Sequence, residues 1–230
     1  MPRDGYGAKS QYWDSSTYNG QPTGTPNDPL AWFNLLPQLV GDHPLQYYYN
    51  NLTTARGGSN TKATQYMPFP GGVGPIWECP SASMSLATVG TILSPADGAP
   101  APGYGGFFSY AMNIDLKRAS DGSSALTYPQ MPKLTSFQHP SATVFMFDYV
   151  FDPVTEASVN GSPSYNSVNP AGRQNSFAWR HSQGGLINFT DGHVAYFKLA
   201  YIQKNPSSGG ESEPLLPDVI WDPPYRLTNP

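Results

Sequence analysis

The clearest pattern along the chain lies between residues 187 and 196, where apolar and polar positions alternate on both sides of Asp191-Gly192. Asp-Gly between two such runs predicts a β-hairpin with a two-residue loop, because both central residues of a type I′ turn need positive φ. That loop length sets Thr190 opposite His193, Phe189 opposite Val194, Asn188 opposite Ala195 and Ile187 opposite Tyr196. Side chains alternate along a strand. Ile187, Phe189, Val194 and Tyr196 are therefore expected on the core face, and Asn188, Thr190, His193 and Ala195 on the other.

A second pattern is continuous rather than alternating. Thr143 to Phe151 is β-branched and aromatic almost throughout, broken by Asp148, and reads as a central strand covered on both sides. Phe107 to Ile114 is a further strand, and Ile76-Trp77 a short extended piece before a Cys79-Pro80-Ser81 turn. Helical periodicity is confined to the amino-terminal side. Asp28-Pro29 suits a helix start, Leu30, Phe33 and Leu36 or Pro37 mark one face, and Gly41 ends it. Pro44 to Leu52 is a second short helix containing Tyr47, Tyr48 and Tyr49. Residues 1–26 read as an irregular opening segment, 53–74, 96–106 and 152–176 as loops, and 203–230 as a proline-rich tail over the surface. The expectation is one α+β domain over 1–230: an antiparallel sheet with short amino-terminal helices and long loops.

Composition changes the picture in two ways. Charged residues make only 12% of the chain and aromatics 13%, with 23 Gly and 25 Pro. Disordered chains are aromatic-poor and highly charged, so this profile means a folded, loop-rich protein whose core is built from rings. A net charge of −4 with scattered Lys and Arg gives no basic footprint, which excludes nucleic acid as the expected partner. Loops rich in Asn, Ser, Thr and Tyr suit an extracytoplasmic surface.

Candidate chemistry is sparse. His181, Asp191 and His193 offer three donors, but Asp191 and His193 flank one turn and no helical spacing assists. The stronger reading is structural, with His181 and Asp191 bonding backbone groups and locking the hairpin. Asp148 is the conspicuous carboxylate, since an ionised group in an apolar strand is costly unless paired; Arg180 or His181 is its expected partner. Paired with Asp191, and with His181 nearby, it is also the candidate catalytic pair of a glycoside hydrolase, which needs two carboxylates about 5–9.5 Å apart. Exposed aromatics stack on sugars, and Trp13, Tyr47, Tyr48, Tyr49 and Trp179 are the candidates for that. Cys79, the single cysteine, reads as a small buried hydrophobe, because no neighbour in sequence supplies the His or helix terminus that activates a thiol. No metal site and no cofactor are predicted. The acidic stretches Asp148–Glu156 and Glu211–Asp222 are compatible with calcium but lack the spacing of a dedicated loop.

The same residues carry a resemblance. Arg180-His181, Gly184-Gly185, Asn188-Phe189 and Asp191-Gly192-His193-Val194 look like the carboxy-terminal His-x9-Asp-Gly signature of prepilin-type proteins of planctomycete and verrucomicrobial bacteria. These are similar to type II secretion pseudopilins and type IV pilins. Ile76 to Ser81, Tyr104 to Asn113 and Pro140 to Asp148 resemble further elements of that family in the same order, so the match spans roughly residues 76–198. The resemblance implies a pilin-like head and a non-enzymatic, extracytoplasmic subunit. Its expected partners are other pilin-like subunits or secreted cargo, and its motif residues are His181, Asn188, Asp191, Gly192 and His193. The alternative is a carbohydrate-active protein on the same head, either polysaccharide-binding or a glycoside hydrolase. Family members begin with a cleavable leader and a long apolar anchoring helix. This chain opens Met1-Pro2-Arg3-Asp4 and carries no apolar run near 18 residues and no signal-peptide pattern. The expectation is a head lacking its anchor, with no membrane insertion by the chain as given.

Overall fold

The computed structural model of the chain describes residues 1–5, 17–18, 21–22, 28–45, 47, 76, 79–82, 108–117, 126, 130–152, 156, 170–204 and 216–221. In chain order the elements are β1 (Thr17–Tyr18), β2 (Gln21–Pro22), α1 (Trp32–Leu39), β3 (Tyr110–Asn113), β4 (Val144–Asp148), β5 (Ala171–Gly172), β6 (Gly184–Phe189), β7 (Val194–Lys198) and α2 (Leu199–Ile202). Short 3-10 turns occupy Ile114–Lys117, Leu134–Ser136 and Gln174–Ser176. β1 and β2 pair as a small ribbon, and the other five strands form one sheet in the order β5-β3-β4-β6-β7. No helix among the described residues is long and apolar enough to cross a membrane.

The sheet is mixed, not purely antiparallel. β5 comes from the stretch expected to be loop and runs parallel to β3, with Met112 opposite Ala171. The remaining pairings are antiparallel. α1 also differs from expectation. It starts at Trp32, because Asp28 closes a turn by accepting the Leu30 N–H at 3.0 Å, and Leu30 is left exposed. Trp32, Phe33 and Pro37 form its buried face. Most of the expected second helix, with Tyr48 and Tyr49, lies outside the described residues, as does Trp13.

Alternation divides β3 and β4 between two cores. Met112 belongs to a cluster with Trp32, Phe33, Cys79, Phe108 and Phe151, against which Tyr110, Phe145 and Met146 pack. Ala111, Val144 and Phe147 belong to the second, with Tyr149, Phe177, Ile187, Phe189, Val219 and Trp221. Apolar cover on both faces explains why β4 reads as an unbroken hydrophobic run. The second core depends on the tail. Residues 216–221 do not wrap the surface: Ile220 bridges Thr143, the buried Asn113 side chain donates to the Trp221 carbonyl at 2.6 Å, and Trp221 is buried against Phe147 and Phe177. Valine, isoleucine and tryptophan in a row bury too much apolar surface to be left in water.

The hairpin forms where expected, but in a register one residue away. Asn188 faces Val194, Ile187 faces Ala195 and Leu186 faces Tyr196. The loop holds three residues, Thr190, Asp191 and Gly192, with Gly192 N–H donating to the Phe189 carbonyl at 2.9 Å and Phe189 N–H to the His193 carbonyl at 2.9 Å. Gly192 alone in this turn has positive φ, at 95°. This is the type I turn with a bulge, the second common hairpin solution, and it spares Asp191 a left-handed backbone. A one-residue slip turns every side chain of a strand over. Ile187 and Phe189 point into the core as expected, but Ala195 and Phe197 join them there, while Val194 and Tyr196 are exposed.

Candidate functional site

The alternation that builds the two cores also aligns a row across the sheet. Tyr110 of β3 faces Asp148 of β4, and the Leu186 N–H of β6 donates to Asp148 Oδ2 at 2.7 Å. Gly185 makes this approach feasible: a Cβ there would meet the Ala178 carbonyl oxygen at 2.7 Å and Asp148 Cβ at 3.0 Å. The first core covers the β3–β4 part of this face and stops before β6, where Leu186 is exposed. Asp148 lies at that border and is itself fully buried.

Beyond β4 the chain returns through Phe177, which bridges Tyr149, and delivers Arg180 and His181 to the end of the strand. Ser182 and Gln183 then reverse it within two residues, with φ of 48° and 67° and reciprocal bonds of 2.9 Å between His181 and Gly184. Positive φ at two successive non-glycine residues is uncommon and costs about 1 kcal/mol or more each. The turn fixes where His181 points.

Arg180 is a buried staple. Its guanidinium donates to Glu156 Oε2 at 3.0 Å, to Asp148 Oδ1 and the Ser109 carbonyl at 3.4 Å, and to the Tyr149 carbonyl. Burial pushes the Asp148 carboxyl above its ordinary value, and the bonds from Leu186 and the charges of Arg180 and His181 pull against that without cancelling it. Two carboxylates of the acidic stretch Asp148–Glu156, those of Asp148 and Glu156, are thus directed at a cation supplied by the chain itself.

Cys79 completes the cluster. Its backbone N–H is held by Ser109 Oγ at 2.6 Å, and its Sγ lies 3.2 Å from His181 Nε2. The same nitrogen is 3.5 Å from Asp148 Oδ2. The expectation of a cysteine with no histidine nearby is corrected here: the partner is 102 residues away in the sequence and adjacent in space. The Tyr110 hydroxyl bonds the thiol, and burial, then the proximity of Cys79 and Asp148, raises the phenol well above its ordinary pKa.

The other residues singled out in the sequence do not join this group. Asp191 and His193 pair with each other at the hairpin tip, where Asp191 Oδ1 accepts the His193 N–H at 3.1 Å and meets the ring Nδ1 at 2.7 Å. Those bonds hold the Asp191 carboxyl below its ordinary value. The His193 ring stacks on Phe189, and the Asn188 side chain donates to the Gly192 and His193 carbonyls at 3.4 Å. The tip docks on the loop before β4 through Thr190 N–H to the Thr143 carbonyl and Asp191 N–H to the Pro140 carbonyl. Asp148 sits beside Leu186, three strand residues short of the turn, so about 10 Å of strand plus the turn itself separates it from Asp191. That exceeds a glycosidase carboxylate spacing, and the pair Asp148/Asp191 is not assembled. His181 likewise stands at the opposite end of β6 from His193.

Of the aromatic candidates, Trp179 and Tyr47 are exposed, and Tyr47 stacks on His43 with centroids 3.9 Å apart. Comparison of the chain with protein-family models, with curated proteins and with solved structures gives no match in any of the three.

Proposed function

We propose that this chain is the head of a pilin- or pseudopilin-like subunit, a non-enzymatic extracytoplasmic module serving assembly, secretion or display. The observation behind this reading is the use to which the signature residues are put. Asp191 and Gly192 form the turn, Asn188 and His193 close it, Gly185 admits Asp148 to the next strand, and Arg180 ties three backbone segments together. A motif used this way specifies a scaffold and leaves partner recognition to loops and exposed strand faces, as folds that serve several functions do. The exposed face of the hairpin, with Leu186, Val194 and Tyr196, supplies apolar area for such contacts. The carbohydrate-active alternative loses its carboxylate pair under this geometry and retains only Trp179 and Tyr47 as described stacking residues.

The test is photo-crosslinking in the source cell with a reactive amino acid at Leu186 or Val194. Products containing another pilin-like subunit or a secreted protein, sensitive to protease added outside the cytoplasmic membrane, are the expected result. Protein that is protected from that protease, or that crosslinks only to cytoplasmic partners, refutes the proposal. Retention on insoluble polysaccharide, lost in Trp179→Ala, favours the alternative.

A further inference from the structure

Three side chains from three separate parts of the chain meet at the end of β4: Cys79 from its turn, Asp148 from the strand's last residue, and His181 from the stem of the Ser182–Gln183 reversal. One donor atom of each lies within 4.8 Å of the others. We propose that Cys79 Sγ, Asp148 Oδ2 and His181 Nε2 bind a zinc-type divalent cation, leaving one coordination position open. The inference does not depend on the pilin-like reading.

Distance is the first support. Zinc bonds of about 2.3 Å to sulfur, 2.0–2.1 Å to nitrogen and 2.0–2.2 Å to oxygen place tetrahedral ligand atoms about 3.3–3.6 Å apart. The sulfur–nitrogen and nitrogen–oxygen separations here are 3.2 and 3.5 Å. The sulfur–nitrogen pair opens by a few tenths of an ångström to admit the ion, the nitrogen–oxygen pair already fits, and the sulfur and the carboxylate oxygen, within 4.8 Å of each other, close onto it.

The identity of the nitrogen is the second. In a nucleophile–His–acid relay the nucleophile and the carboxylate engage opposite ring nitrogens, so that one orients the ring while the other exchanges a proton. Both groups here face Nε2. Convergence on one atom suits ligands around a common centre and does not suit a relay.

The outer contacts are the third. Metal-binding carboxylates are themselves hydrogen-bonded. Asp148 gives Oδ1 to Arg180 and one lone pair of Oδ2 to Leu186 N–H, which leaves the second Oδ2 lone pair on the His181 side. The Cys79 backbone is fixed by Ser109 Oγ, and Tyr110 bonds its sulfur.

Charge also balances. A dication with one thiolate, one carboxylate and a neutral imidazole is neutral, and Arg180 is offset by Glu156 at 3.0 Å. On binding, the thiol proton leaves to solvent. Thiolate and imidazole favour zinc over calcium or magnesium. His181 keeps 30% of its side chain exposed while Cys79 and Asp148 are buried, so the ion's route in is on the His181 side.

The test is titration of the reduced, chelator-treated protein with Co(II). A single equivalent should produce a sulfur-to-cobalt charge-transfer band and intense visible bands, both removed by one equivalent of Zn(II). Zn(II) should also slow alkylation of Cys79 by iodoacetamide. Cys79→Ser should abolish the charge-transfer band, and His181→Gln should weaken binding by about 100-fold or more, beyond what outer-shell partners cost. His181 is partly exposed, so this variant retains the fold if Asp148→Asn does not; circular dichroism checks each. Absence of the charge-transfer band in the unmodified chain, or an unchanged titration in His181→Gln, overturns the proposal.

Discussion

Replacing Arg180 by Met tests the network that ends β4. The Arg180 side chain is 4% exposed, and its carboxylate partners Asp148 and Glu156 are 0% and 10% exposed. Solvent therefore screens these charges little. Removing one partner of such a group leaves the others charged in a poorly polarisable interior, at a cost of about 3–5 kcal/mol. That is a large share of the roughly 5–15 kcal/mol that holds a domain together. The loss must also depend on pH in a definite direction. Burial already raises the Asp148 carboxyl, and Arg180 is one of the groups opposing that rise. In Arg180→Met the folded-state value climbs further. An acid whose folded pKa lies above its unfolded value adds stability that is fully present below the unfolded value and is lost as pH rises through the folded one. The deficit of the variant should therefore be larger at neutral than at acid pH, shrinking as pH falls through the raised folded values. Urea unfolding followed by the fluorescence of the buried Trp32 and Trp221 measures it. A loss under about 1 kcal/mol at neutral pH, as for an exposed pair, or a deficit equal at both pH values, refutes the reasoning.

Three further outcomes are expected. Gly192→Ala should lose about 1 kcal/mol from its positive φ alone, since a Cβ there meets nothing within 4 Å. Gly184→Ala drives a Cβ to 2.2 Å from the Phe197 carbonyl oxygen and should lose more, about 1–3 kcal/mol; equal shifts in melting temperature contradict this. Val194→Thr should change stability by no more than about 0.5 kcal/mol, whereas Phe197→Ala should cost about 2 kcal/mol, part of the value for a fully buried ring. The opposite ranking in denaturant melts indicates the two-residue register. By NMR, the Asp191 carboxyl should titrate below 3.8. Because its folded value is depressed, its support of the hairpin is present above the unfolded value and is lost as pH falls through the folded one. His193→Ala should move the titration only part of the way back, since the His193 backbone N–H is the larger cause; no movement at all contradicts the contact between the two side chains.

Local chemistry was legible where it depends on neighbours in the chain. The periodicity of Ile187 and Phe189, the hydrophobic run of β4, the Cys79-Pro80-Ser81 turn and the Asp191-Gly192 reversal all follow from φ preferences and side-chain alternation over a few residues. So did the expectation that Asp148 needs a partner, because burying a lone carboxylate is costly in any fold. Two hairpin loops were compatible with the same letters, however, and the choice between them lay outside the hairpin. Docking of Thr190 and Asp191 on the Pro140–Thr143 loop and of Phe197 beside Phe189 accompanies the three-residue form, and the outward faces of Val194 and Tyr196 follow from it.

What the sequence by itself determined, then, is that strands, turns and a costly carboxylate exist. Only the tertiary structure decided what they meet. β5 joins the sheet in parallel from a stretch that reads as loop, and residues 219–221 enter the core from a tail that reads as surface. Cys79, Asp148 and His181 converge although nothing in their spacing announces it. The physical reason is the same each time. Backbone preferences act between adjacent residues, but burial, charge pairing and ligand geometry act between groups that the chain brings together only after the sheet has formed.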